Sequence, residues 1–171
     1  MKILLIGDSI TNGFDTDKLL PDMEIINKGV YGDNSVGVLN RLANDVVTEM
    51  PDYVYFLIGT NDFAMGRSNN QLLETLKKTA ELIKKYLPKS KIIFTSILPT
   101  RRIENRPNER INKMNELIKQ LCAEYKAEYF TLHSAMKDKS GQMKIEYTND
   151  GLHLTDAAYK TWAEILRQRH S

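Results

Sequence analysis

Four short segments of the 171-residue chain carry side chains whose types and spacing could do chemistry together. Gly7-Asp8-Ser9-Ile10 offers a hydroxyl at Ser9. The stretch from Asn27 to Ser35 offers a backbone N–H at Gly32 that no side chain screens. Gly59-Thr60-Asn61-Asp62 offers a neutral, directional amide at Asn61. Asp150-Gly151-Leu152-His153 offers a carboxylate and an imidazole three residues apart. A nucleophilic serine needs a base within reach, and the base needs a group to orient it. The oxyanion that then forms needs donors. The Ser, Asp, His chain order is one of several convergent triad orders, and the G-x-S-x-G elbow of α/β-hydrolases is absent.

Each segment alone has a plainer meaning. A serine after a strand caps the next helix. An isolated glycine makes a turn, a lone asparagine an Asx-turn. A D-x-x-H pair can start a helix and leave its histidine on the surface. The weight lies in the combination, which supplies a nucleophile, donors at Ser9, Gly32 and Asn61, a base and an orienter.

The elements that must position these groups can be read from hydrophobic periodicity. Ile3 to Ile6, Tyr53 to Ile58 and Ile92 to Leu98 are apolar at nearly every residue, as strands buried on both faces are. Glu24 to Asn27 and Ala127 to Thr131 are weaker strand candidates. Between them Leu39, Leu42 and Val46 repeat at helical spacing, as do Leu72, Leu76, Ile83 and Leu87. Ile111, Met114, Leu117, Ile118, Leu121, Cys122 and Tyr125 form the clearest stripe. Ala158, Trp162, Ile165 and Leu166 predict a last helix, with Thr155 or Asp156 as its N-cap. Repeated β-α alternation predicts an α/β fold, a parallel sheet covered by helices on both faces. Five strands in the flavodoxin-like order 2-1-3-4-5 place the first and third side by side. Ser9 and Asn61 then face each other across the topological switch point. The long unassigned stretches are Thr100 to Asn108 and Ser134 to Asn149, and such loops are often functional.

In these four blocks, in this order, the sequence resembles the SGNH, or GDSL, hydrolase family. The resemblance runs from Ile3 to the last helix, with Ile10 where the family often has Leu. It implies a three-layer α/β/α sandwich, a single domain over residues 1–171 and a serine esterase that needs no metal or organic cofactor. By carry-over Ser9 is the nucleophile, His153 the general base and Asp150 its orienter. The Ser9 N–H, the Gly32 N–H and the Asn61 side chain form the oxyanion hole. Compact members with a Leu-Pro loop after the fourth strand look like acetylesterases and proteins similar to platelet-activating-factor acetylhydrolase. The matching loop here is Leu98-Pro99-Thr100-Arg101-Arg102.

For substrate, a chain of this size leaves little room for a lid or a deep acyl tunnel, which favours short acyl groups on a polar leaving group. Tyr31, Phe63 and Met65 are candidates to line the pocket, with core or surface packing as the alternative. Asp8 is a further substrate-contact candidate. Arg101, Arg102 and Arg106 form the one notable basic cluster. An arginine there binds a substrate carboxylate or phosphate, or the cluster is solvated and pairs with Glu104 or Glu109. Thioesterase or lysophospholipase action on longer chains is the alternative within the class. From other classes, Asp8 and Asp62 could hold Mg²⁺ for phosphoryl transfer, and Ser9 to Gly13 superficially suggests a flavin phosphate loop.

Composition narrows the rest. Hydrophobic residues make up 42% and charged residues 27%, with a net charge of +2. That is an ordinary globular mix, too nearly neutral for a nucleic-acid binder. No segment is apolar over a membrane-spanning length. The apolar run after Met1-Lys2 is too short for a signal peptide, and a single cysteine, Cys122, excludes an intrachain disulfide. The expectation is a cytoplasmic protein acting on a small-molecule ester. Cys122 reads as core, His133 as structural and His170 as an inert tail residue.

Overall fold

The three near-continuous apolar runs become the inner strands of one sheet. The computed structural model describes residues 1–171. In chain order the first half holds β1 (Lys2–Gly7), α1 (Ser9–Asn12), α2 (Thr16–Leu19), β2 (Glu24–Gly29), α3 (Ser35–Leu42), β3 (Tyr53–Leu57), α4 (Thr60–Ala64) and α5 (Asn69–Tyr86). The second half holds β4 (Lys91–Thr95), α6 (Asn108–Tyr125), β5 (Glu128–Phe130), α7 (His133–Met136) and α8 (Asp156–Arg169). All five strands are parallel, in the order β2-β1-β3-β4-β5, as the alternation predicts.

Strand residues alternate between two cores. Leu4, Ile6, Val54, Phe56, Ile92 and Phe94 pack under α3, α5 and α6. Ile3, Leu5, Tyr55, Leu57 and Ile93 pack under α1, α2, α7 and α8. The result is a three-layer α/β/α sandwich in which both faces of β1, β3 and β4 are dry. That is why their sequences are apolar without alternation. The edge strand β2 is only half buried.

Several local expectations are corrected. The run from Ile92 to Leu98 is a strand only to Thr95, although Ile97 and Leu98 stay buried. Ser96 N–H still donates to Phe130 O on β5 at 2.9 Å, and beyond it a buried amide on α6 replaces the neighbouring strand. Asn115 Oδ1 accepts from Ile97 N–H at 2.8 Å, and Asn115 Nδ2 donates to Ile97 O at 2.9 Å. The core face of α3 is Val38 and Leu42, with Leu39 half buried, and a π-helical turn over Ala43–Val47 brings Val46 into the core. Thr155 holds the N-cap position of α8, but its hydroxyl donates to Glu146 O at 2.7 Å instead of capping. His170 is engaged: its Nε2 lies 2.8 Å from the Tyr55 hydroxyl, and its ring meets Tyr53 edge-on at 4.7 Å.

Cys122 lies in the α6 core, and burial pushes its thiol up to about 11. His133 begins α7, and burial, aided by Lys137, lowers its imidazole to about 4. No helix is long and apolar enough to cross a membrane.

The first and last helices are fastened to each other. The buried Tyr159 hydroxyl on α8 donates to Ile10 O on α1 at 2.7 Å. Around it Phe14 stacks on Tyr159 at 5.6 Å and on Trp162 at 4.5 Å. This contact sets the loop before α8 over the carboxyl end of β1. Tyr159→Phe keeps the packing but strands the Ile10 carbonyl, so urea unfolding should show a loss of about 1–2 kcal/mol at unchanged m-value.

Candidate active site

Ser9 stands two residues past the end of β1, at the first position of α1. The turn is tight: a Cβ on Gly7 would lie 2.3 Å from Leu57 O and 2.3 Å from the Thr11 hydroxyl. Asp8 is the N-cap of α1 and accepts from Ile10 N–H at 2.9 Å. Because α1 spans only four residues, its dipole is small. Individual N–H groups must therefore do what a long helix would do by its field.

Ser9 Oγ lies 3.0 Å from His153 Nε2. His153 Nδ1 lies 2.6 Å from Asp150 Oδ2, and Asp150 Oδ1 accepts the backbone N–H groups of Leu152 at 2.9 Å and His153 at 2.8 Å. Burial alone would raise the Asp150 carboxyl. Hydrogen bonds from the His153 ring and from the Leu152 and His153 backbone outweigh it and hold the group at about 2. An ionised Asp150 only accepts, so the ring proton sits on Nδ1 and Nε2 is left to accept from the Ser9 hydroxyl. Gly151 makes the turn possible. Its φ is +89°, and a Cβ there would meet Arg101 O at 2.2 Å.

The second and third blocks meet beside this chain. Gly32 has φ +78° with open space where a side chain would be, and its N–H has no acceptor in the protein. Asn61 lies in the first turn of α4 after β3, which pairs with β1. Its Nδ2 donates one hydrogen to Asp33 O, next to Gly32, at 2.7 Å. Asp33 is itself held by Arg41 Nε at 2.7 Å, and Arg41 also donates to Gly7 O at 3.0 Å and Lys28 O at 2.8 Å, at the ends of β1 and β2. The structure thus brings Ser9, His153 and Asp150 into one hydrogen-bonded chain. It sets Gly32 and Asn61 together at the same end of the sheet. Such an arrangement can deprotonate a hydroxyl while N–H groups receive negative charge on an adjoining oxygen.

The substrate-contact candidates divide. Tyr31 is exposed, and its ring is parallel to that of His153 with centroids 6.4 Å apart. Met65 is exposed beside Asn34, whose Nδ2 is 3.4 Å from its sulfur. Phe63 is corrected: it is buried in the α3/α5/α6 core, where the Arg110 guanidinium covers its ring. Asp8 is corrected as well, since it is buried and spent on capping. Arg101 turns away to Asp138 and Met143 O, anchoring the loop after α7. Arg102 is exposed on the outer side of its loop beside Glu104 and makes no hydrogen bond to the site. Pairing with Glu104 or Glu109 does not occur, and Glu109 pairs with Lys113 at 2.9 Å. Asp62 does not share a cation site with Asp8. It is fully buried and accepts from Ser35 N–H at 3.0 Å and Ser35 Oγ at 2.6 Å. In the Ser9 to Gly13 turn, Asn12 Nδ2 donates to Gly29 O at 3.0 Å and Thr11 is buried. Arg41 has no motif around it to mark its supporting role, and Ser35, although it ends the glycine block, carries no local sign of its bond to Asp62.

The comparisons with known proteins bear on this geometry. The model of the GDSL-like lipase/acylhydrolase family matches residues 5–161. The chain belongs to that family. It is 31% identical over 159 residues to N-acylneuraminate cytidylyltransferase from Escherichia coli, covering 92% of this chain. This chain spans only 37% of that relative's length. It is 24% identical to platelet-activating factor acetylhydrolase IB subunit alpha1 from Pongo abelii, over 99% of this chain and 74% of the other. A solved Streptococcus pneumonia structure, provisionally designated a platelet activating factor, superposes with a TM-score of 0.93. Its identity is 30%, covering 99% of this chain and 84% of that one. The family is one of GDSL-like lipases and acylhydrolases.

Asp8 gives the site a pH signature. Burial, partly offset by the Ile10 hydrogen bond, raises its carboxyl from 3.8 to about 6. Between those values the folded chain holds a proton that the unfolded chain has lost. Stability therefore falls as pH rises through this window, by about 3 kcal/mol at most. Asp8→Asn keeps an acceptor for Ile10 N–H without the charge. Urea titrations at pH 4 to 7 should show a flatter stability profile for the variant than for the parent.

Proposed function

We propose that the protein hydrolyses short-chain carboxylic esters, acetyl esters foremost, through an acyl-enzyme at Ser9. The observation that carries this is the unbroken run of hydrogen bonds from Ser9 Oγ through His153 to Asp150. Ser9 Oγ forms a bond to the acyl carbon while His153 Nε2 takes its proton. The tetrahedral oxyanion is received by Ser9 N–H, Gly32 N–H and the second Nδ2 hydrogen of Asn61. The ester C–O bond breaks, and His153 returns the proton to the leaving alcohol. Water repeats the sequence on the acyl-enzyme, releasing the carboxylic acid and restoring Ser9.

Support for a short acyl group comes from the tight packing beneath the site. The cavity lined by Ile10, Leu57, Thr60, Leu98 and Leu152 is only about 10 Å³ and is not lined by Ser9, so it offers no room for a buried acyl chain. The acetylhydrolase named among the relatives points the same way. One observation favours longer chains. Val30, Tyr31, Val36 at the start of α3 and Met65 are exposed apolar side chains beside the site, an outer surface on which a thioester or lysophospholipid chain could lie. The segment 1–171 is read as one catalytic domain, on the two cores that share its single sheet. A cytoplasmic location is favoured by the one free, buried cysteine.

With p-nitrophenyl acetate, Ser9→Ala should fold with unchanged circular dichroism and lose turnover. Asn61→Ala should lower kcat by roughly 10²–10³. Unchanged hydrolysis by Ser9→Ala would overturn the assignment. In a chain-length series kcat/KM should fall roughly tenfold or more from acetyl to octanoyl. A rise would favour the longer-chain reading.

A further inference from the structure

Arg106 is the member of the basic cluster whose guanidinium reaches the candidate site. Its Nη2 donates to Asn61 Oδ1 at 3.0 Å, and its Nε donates to Thr60 O at 3.0 Å. The same amide is held from the other side, where Asn61 Nδ2 donates to Asp33 O at 2.7 Å. An asparagine amide has one oxygen and two N–H hydrogens. With the oxygen on Arg106 and one hydrogen on Asp33, its plane and its flip state are set, and one N–H is left over.

The loop that carries Arg106 is built to hold it still. Asn108 closes residues 100–108 into a ring, accepting from Thr100 N–H at 2.9 Å and donating to Thr100 O at 2.8 Å. Inside the ring the Thr100 hydroxyl donates to Arg106 O at 2.7 Å. A backbone hydrogen bond from Arg101 N–H to Gly151 O at 2.8 Å ties the loop to the turn between Asp150 and His153. Arg106 makes no salt bridge, so its positive charge is not neutralised by a paired carboxylate.

We infer that Arg106 is a positioning residue for ester hydrolysis: it fixes and polarises the Asn61 amide so that its remaining N–H is aimed at the oxyanion. A cation on the amide oxygen draws electron density from the nitrogen and makes the N–H a stronger donor. Hydrogen bonds polarise one another in this way inside proteins. Since the oxyanion exists only after attack, the benefit falls on the transition state and not on ground-state binding. This inference rests on the reading of Asn61 as an oxyanion donor.

A double-mutant cycle tests it, with p-nitrophenyl acetate as substrate and thermal melts to verify folding. Arg106→Gln should lower kcat roughly 10- to 100-fold with KM nearly unchanged, the scale of one hydrogen bond to a charged group. Arg106→Lys restores charge but not the two-point grip, so it should fall between Gln and the parent. It serves alone should Arg106→Gln fail to fold. In an Asn61→Ala background the same Arg106 changes should cost less than about twofold more, because the amide they act on is gone. Full additional loss in that background, or parental kcat in both Arg106 variants, would overturn the inference while leaving Asn61 in place. Parental activity of Asn61→Ala by itself would overturn the oxyanion reading and this inference together.

Discussion

Ser9 and His153 are 144 residues apart in sequence and 3.0 Å apart in space, and everything else in the site depends on that closure. It is not made by the hydrogen bond itself, which is half exposed and contributes little to stability. It is made by the buried contact of α8 with α1, where the Tyr159 hydroxyl meets Ile10 O and Phe14 stacks on two aromatic rings of α8. The sheet then does the remaining work. Because β1 lies between β2 and β3, the loops bearing Ser9, Gly32 and Asn61 leave adjacent strands at the same end. A parallel sheet with helices on both faces offers no other place for the three groups to meet.

The electrostatics follow the same division between buried support and open chemistry. Asp150 and His153 are substantially exposed, with 54% and 41% of their side-chain surfaces open. A substrate can reach them, and a low dielectric contributes little to their pairing. Asp8 and Asp62 lie buried beneath, each spent on backbone donors or a hydroxyl. Arg41 gathers the ends of β1 and β2 under the Gly32 loop. The Asn61 amide is bracketed between the Asp33 carbonyl and Arg106. The groups proposed to meet the substrate are thus held by residues that never touch it, which is what preorganisation requires.

Much of this was legible in the sequence. Apolar runs without alternation marked β1, β3 and β4, and the apolar stripes marked the buried faces of α5 and α6. Four motif segments marked Ser9, Gly32, Asn61, Asp150 and His153. What escaped reading shares one cause: a polar side chain's partner depends on the path of a distant loop. Asn115 sits in an apolar stripe, and nothing local says that it takes over the backbone of Ile97. Arg101, Arg102 and Arg106 look alike in sequence. One anchors a loop through Asp138, one faces solvent, and one reaches Asn61. Phe63 stands two residues after Asn61 but on the opposite side of a one-turn helix, so it points into the core.

The central claim is that this architecture makes one hydroxyl, that of Ser9, a nucleophile. The most direct measurement is covalent labelling of the folded protein with a fluorophosphonate, followed by mass spectrometry of its peptides. A single adduct is expected on Ser9, formed in the parent and greatly slowed in His153→Ala. An unlabelled parent, or an adduct on another residue with Ser9 unmodified, would contradict it.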